Sequence, residues 1–240
     1  MPIHAAGLYD TSEPGTKASD FAVSSYTPTV SALLQAPYSK PLQPRIFAVA
    51  QAVTPGQSAL PNTKREIGFL SNRTISKVEF VTAVDGAATV NLVLEEMKRC
   101  NWVHLACHGI QSLERPTESA FILADGHLEL AEIIKHPFPH AEFAFLSACQ
   151  TATGNDKLAE EAVHLAAGMM LAGYRGVIAT MWAIRDVDGP IVADAVYTDM
   201  FRTGEADHKR AAHALQSAAQ SLRLSGAPFM AWVPFIHLGL

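Results

Sequence analysis

The chain has 240 residues, a formal charge of -5 at pH 7, 49% hydrophobic residues and 17% charged ones. Those proportions describe one globular domain rather than a disordered chain, and the absence of a Lys/Arg cluster excludes broad electrostatic attraction to nucleic acid or to an anionic membrane surface. Three cysteines, Cys100, Cys107 and Cys149, form no paired framework, which fits a reducing compartment (cytosol or nucleus) and leaves a thiol for chemistry.

From the start, Met1 to Gly7 lacks a basic stretch ahead of an apolar run, so it does not read as a secretory signal. No apolar stretch approaches the roughly 20 residues that span a bilayer, and a soluble chain is expected. Residues 8 to 44 are rich in Ser, Thr, Pro and Gly, with one apolar patch at Val30, Leu33 and Leu34, and read as loop with a single helical turn. The organisation expected is therefore a loop-rich segment over 1-44 followed by a core over 45-240.

At Arg45 the texture changes. Ile46 to Ala50 is a short apolar run of strand length, closed by the turn residues Thr54-Pro55-Gly56. A helix carrying Ile67 and Leu70 follows, then a strand through Val78, Phe80 and Val81, then a helix with Val90, Val93, Leu94 and Met97 on one stripe. Trp102 to Cys107, Phe143 to Ser147 and Gly176 to Met181 are near-continuous apolar runs of the kind buried on both faces. Helices are expected near 129-135, 157-172, 189-202 and 207-223, and Trp232 to Leu238 reads as an apolar strand-like tail. Strands alternating with helices imply an α/β fold with a mainly parallel central sheet flanked by helices, and with reactive groups just beyond the carboxyl ends of its strands.

Two strands end in such groups. One runs Val103-His104-Leu105-Ala106-Cys107 into His108-Gly109; the next core strand runs Phe143 to Ser147 into Ala148-Cys149-Gln150-Thr151. An imidazole beside a thiol can take the thiol proton and return one to a leaving amine. Gly109 lets the backbone approach a substrate carbonyl, so its amide and that of Cys149 are candidate oxyanion donors. Buried cysteines at strand ends are more often inert, so chemistry alone leaves the His108-Cys149 pair a minority reading.

The extended pattern changes that balance. His104 to Gly109, followed about 40 residues later by Ser147-Ala148-Cys149-Gln150-Thr151-Ala152, resembles the CHAT domain, a caspase-like group of clan CD cysteine peptidases related to separase. Further matching pieces lie in family order: Ile3 to Gly7, Ser25 to Thr29, Leu146 to Gly154, Ala167 to Gly173, Thr180-Met181-Trp182 and Trp232 to Phe235. The resemblance implies a three-layer caspase-hemoglobinase fold, Cys149 as nucleophile, His108 as general base, and no metal or organic cofactor. It implies a protein or peptide substrate, with a regulatory protein or a helical-repeat region as partner, and no direct contact with nucleic acid or membrane. The family's His-Ala-Ala-Gly motif usually follows further strands but begins here at residue 4, so a truncated or minimal domain, or a fragment of a longer protein, is expected.

By the same resemblance, Trp182 to Asp188 matches a segment that supplies acidic residues to the pocket for the side chain before the scissile bond. Asp186 and Asp188 are thereby candidates for binding a substrate Arg or Lys, although acidic residues at a helix start are also favoured by the dipole and by capping alone. His104 reads as a packed core histidine and Cys107 as a small buried hydrophobe. Cys107, His108 and Cys149 lack the paired spacing of a zinc site. Glu160, Glu161 and His164 read as a solvated first turn, with Asn155-Asp156 as its cap. The loops 109-120 and 183-190 are expected to flank the crevice. A protease-like scaffold that binds partners without cleaving them is the rival reading, and a nucleotide-binding protein is set aside for want of a Gly-rich strand-to-helix turn.

Overall fold

A computed structural model describes residues 1-10, 13-33, 43-112, 114-147, 149-150 and 163-239; the side chains of Leu33, Cys149, Gln150, Val163 and His164 lie outside the description. The expectations for Leu34, Ala148, the 151-154 end of the family motif, the Asn155-Asp156 cap, Glu160 and Glu161 also fall outside the described residues.

In chain order the elements are a short turn α1 (Val30–Leu33), β1 (Arg45–Ala50), α2 (Asn62–Arg73), β2 (Glu79–Val84), α3 (Val90–Met97), β3 (Trp102–Ala106), β4 (His108–Ile110), β5 (Ala120–Ile122), β6 (His127–Glu129), α4 (Leu130–Lys135), β7 (Phe143–Leu146), β8 (Cys149–Gln150), α5 (Val163–Leu171), β9 (Gly176–Thr180), α6 (Asp188–Met200), α7 (Ala211–Leu224), α8 (Phe229–Trp232) and β10 (Phe235–Gly239). Six strands form the main sheet in the order β10-β9-β7-β3-β1-β2, parallel except for β10. A second sheet has the order β6-β5-β4-β8.

The near-continuous apolar runs are explained by burial on both faces, since successive side chains of a strand point to opposite sides. Ile46, Ala48, Trp102, Phe143, Phe145 and Ile178 join the core under α2, α6 and α7. Their alternates Phe47, Val49, Val103, Leu105, Ala144 and Val177 join the core under α3, α4 and α5. The expected α/β architecture with helices on both faces is therefore present. The expected strand-like tail splits in two, because Phe229–Trp232 closes one helical turn before Phe235–Gly239 pairs antiparallel with β9. Among the described residues, no helix is long and apolar enough to cross a membrane.

The amino-terminal segment closes the β10 edge. Tyr26 bridges Leu238, with Tyr26 N donating to His237 O at 2.8 Å and Gly239 N to Tyr26 O at 3.0 Å. Ser25 Oγ donates to Gly239 O at 2.7 Å and lies 2.8 Å from His237 Nδ1, so the ring donates through Nδ1. Burial, with the His208 ring nearby, lowers the His237 pKa to about 4. His208, itself lowered by burial, stands 3.7 Å from Glu142. His237 stays neutral in the fold while the unfolded chain's imidazole takes up a proton near pH 6.5, so stability rises with pH across this window. About 3 kcal/mol held above pH 6.5 is lost as pH falls towards 4. The urea midpoint is expected to fall steeply over that range and to fall less in His237→Gln; parallel slopes in the two proteins would contradict the assignment.

Candidate active site

The chain leaves the main sheet twice at neighbouring points and re-pairs in the second sheet. After Ala106 it passes Cys107 and opens β4 at His108; after Leu146 it passes Ser147 and opens β8 at Cys149. β4 and β8 are parallel, with His108 opposite Cys149 and Gly109 opposite Gln150. Adjacent strands lie about 4.8 Å apart, so this register sets the two backbones side by side. Continuing β3 and β7 into a second sheet brings the two chemistry-bearing positions together.

The His108 ring is 2% exposed. Its Nε2 lies 2.8 Å from Ser58 O, and because a carbonyl only accepts, Nε2 carries the proton. Nδ1 of the neutral ring is then an acceptor, buried and without a hydrogen-bond partner among the described residues. The segment carrying Ser58 is fixed at both ends. Asp85 Oδ1 accepts from Ala52 N at 2.8 Å and Val53 N at 3.2 Å, and Asp186 Oδ2 accepts from Asn62 N at 3.1 Å and Asn62 Nδ2 at 2.6 Å. Burial works against the Asp85 charge, but Lys64 and these two amides outweigh it and hold the carboxyl below its ordinary pKa.

Beneath the strand ends lies a buried polar cluster. Ser147 Oγ donates to Glu66 Oε2 at 3.1 Å, and Glu66 Oε1 stands 3.0 Å from His104 Nε2, off the line of a hydrogen bond. His104 Nδ1 is 3.0 Å from the Tyr197 hydroxyl, and the ring stacks on Phe145 at 4.8 Å. The core placement expected for His104 holds, at 0% exposure. Cys107 lies in the opposite core beside Val103 and Leu105.

The two candidate substrate-binding acids are both engaged. Asp186 serves the start of α2 through Asn62, while Asp188, 1% exposed, is gripped by Arg185 through Nε and Nη2 at 2.7 Å each. Gly109 is not in a loop: Gly109 and Ile110 are strand residues, opposite Phe121 and Ala120 of β5. The expected loop 109-120 thus begins and ends in paired strands, because β5 supplies a partner ladder that three-residue strands do not announce.

The model of the CHAT domain family matches residues 1–240. The chain belongs to the CHAT domain family. Among solved structures, this CHAT domain is similar to the Arg specific cysteine proteinase gingipain R, with a TM-score of 0.50 and 12% identity, covering 81% of this chain and 46% of that one. It is equally similar to gingipain in the complex of Porphyromonas gingivalis RgpB pro- and mature domains, with a TM-score of 0.50, 12% identity and coverage of 82% and 47%. The chain thus spans about half the length of those proteins, and the likeness shows the caspase-like fold expected from the sequence. No curated protein matches it. The family is thus that of the CHAT domain, and the solved structures add the fold alone.

Three participants around the CHAT domain site escape a reading by motif. Ser58 acts through its carbonyl, which no side-chain pattern announces. Ser147 opens the motif that carries Cys149, but the motif gives it no role of its own. Glu66 had a signal: Thr63, Glu66, Ile67 and Leu70 form the buried face of α2, and a carboxylate within such a stripe requires partners in the core.

Proposed function

We propose that this CHAT domain is a cysteine endopeptidase whose catalytic dyad is His108 and Cys149. The observation that carries the reading is the register of β4 on β8, which sets His108 opposite Cys149 while Ser58 orients the imidazole and leaves its Nδ1 free to accept a proton. The thiol proton passes to Nδ1, and the thiolate adds to the scissile carbonyl carbon. The amides of Gly109 and Cys149 receive the negative oxygen. The carbon–nitrogen bond then breaks as imidazolium protonates the leaving amine, and water, deprotonated by the same ring, releases the acid from the thioester.

Cleavage after a basic residue belongs to this proposal. Asp188 already holds a guanidinium in the two-pronged geometry that a substrate arginine would use, and the occupant, Arg185, is 55% exposed at its side chain. A substrate Arg would take that place as Arg185 swings into solvent. A latent, partner-gated state is favoured by one observation: with His108 2% exposed, a peptide reaches the ring only after local opening, which a regulatory protein or a helical-repeat region would supply.

The test is a mixed peptide library offered to the purified chain, with and without candidate partners. Turnover by the chain alone rules out a pure scaffold, turnover only with a partner identifies the gated enzyme, and no turnover under either condition refutes the peptidase reading. Arg185→Ala should raise kcat/KM for Arg or Lys substrates about tenfold, matching a charge-assisted hydrogen bond of about 1.5 kcal/mol. An unchanged preference would remove Asp188 from the pocket.

A further inference from the structure

We infer that Glu66 and Ser147 are positioning residues that fix the two strand ends of the site, an inference that rests on the His108-Cys149 dyad. Glu66 is 1% exposed and Ser147 4%, so their hydrogen bond forms out of water. What the carboxylate joins is specific. α2, which carries Glu66, follows directly from the segment whose Ser58 carbonyl holds His108. Ser147 stands two residues before Cys149, and His104, facing Oε1 at 3.0 Å, stands four residues before His108. α6 completes the cluster, because Tyr197 reaches His104 Nδ1 and Gly189 lets the helix start pass close by. A Cβ on Gly189 would lie 2.8 Å from Ser147 Oγ and 2.9 Å from Glu66 Oε2.

A buried carboxylate is a costly way to stabilise a core, since an apolar residue of similar volume is often at least as good. Here the carboxylate sits where the base's orienting segment, the base's strand and the nucleophile's strand converge. Ångström-scale displacement of a catalytic group has large effects on rate, and thiolate character depends on the imidazole being in reach.

The test needs no substrate. The rate of iodoacetamide alkylation at Cys149, mapped by mass spectrometry in the full chain, is measured against pH together with the urea midpoint. His108→Ala should move the alkylation midpoint up towards that of an ordinary thiol. Ser147→Ala and Glu66→Leu should each move it up by about one pH unit, whereas Glu66→Gln, whose amide oxygen still accepts from Ser147, should stay near the parent. A merely structural pair would lower the urea midpoint in Ser147→Ala and Glu66→Leu and leave the alkylation midpoint in place, which overturns the inference. Identical midpoints in the parent and His108→Ala would instead overturn the dyad itself, with the inference falling alongside it. Should Ser147→Ala fail to fold, the contrast between Glu66→Gln and Glu66→Leu decides.

Discussion

Cys149→Ala should abolish peptide cleavage, lowering kcat by roughly 10^4 to 10^6, and should end covalent labelling by an electrophilic peptide. His108→Ala should behave differently in kind. Removing a general base costs about 10^2 to 10^4 in rate, but a thiol keeps a small thiolate fraction, so slow labelling survives and rises with pH. The ring's loss also leaves the Ser58 carbonyl without the donor that now meets it at 2.8 Å, a cost of about 1 to 3 kcal/mol if water does not replace it. The two variants therefore separate the roles: one silent at every pH with its fold intact, the other slow, pH-dependent and modestly less stable. Undiminished labelling in Cys149→Ala would show that another thiol carries the chemistry. Cys100 is a poor nucleophile at neutral pH, because burial pushes its pKa up to about 12.

The main sheet was legible because its strands are buried on both faces. Ile46 to Ala50 and Phe143 to Leu146 are apolar throughout and Trp102 to Ala106 is broken by His104 alone, and alternating helices leave few other ways to bury them. The second sheet was not legible. β4, β5 and β6 have three residues each and β8 two, too short for any periodicity, and His108 reads on paper as the continuation of β3. The fork between the sheets is a tertiary feature: Ala106 still pairs with Ala50, while His108 pairs with Ile122 and Cys149. At the site, side-chain chemistry singled out His108 and Cys149, but Ser58 contributes only backbone and Arg185 changes the meaning of Asp188 through a bond that spacing alone did not demand. Arg185 and Asp188 are three apart, so their pairing was open to the sequence; that Asp188 is the fully buried partner was not.

The largest stability effect is expected at Tyr197, where the fold and the polar cluster share one side chain. Its ring is 0% exposed and packs among Trp102 at 6.4 Å, Phe143 at 6.3 Å, Phe145 at 5.8 Å and Phe201 at 6.0 Å, while its hydroxyl stands 3.0 Å from His104 Nδ1. Burial, with Glu66 nearby, pushes its phenol pKa well above the ordinary value, so the hydroxyl remains protonated and able to donate. Tyr197→Phe keeps the ring and removes only the hydroxyl, leaving His104 Nδ1 unpartnered in the core, and should cost about 1 to 3 kcal/mol. Tyr197→Ala also empties the space between α6 and the sheet and should cost about 3 to 5 kcal/mol. Urea unfolding of the three proteins separates the contributions, since the step from Tyr to Phe reads the hydroxyl and the step from Phe to Ala reads the packing. If Phe were as damaging as Ala, the ring would contribute nothing beyond its hydroxyl; if Phe cost nothing, the His104 contact would carry no stability and the cluster would be held from the Glu66 side alone.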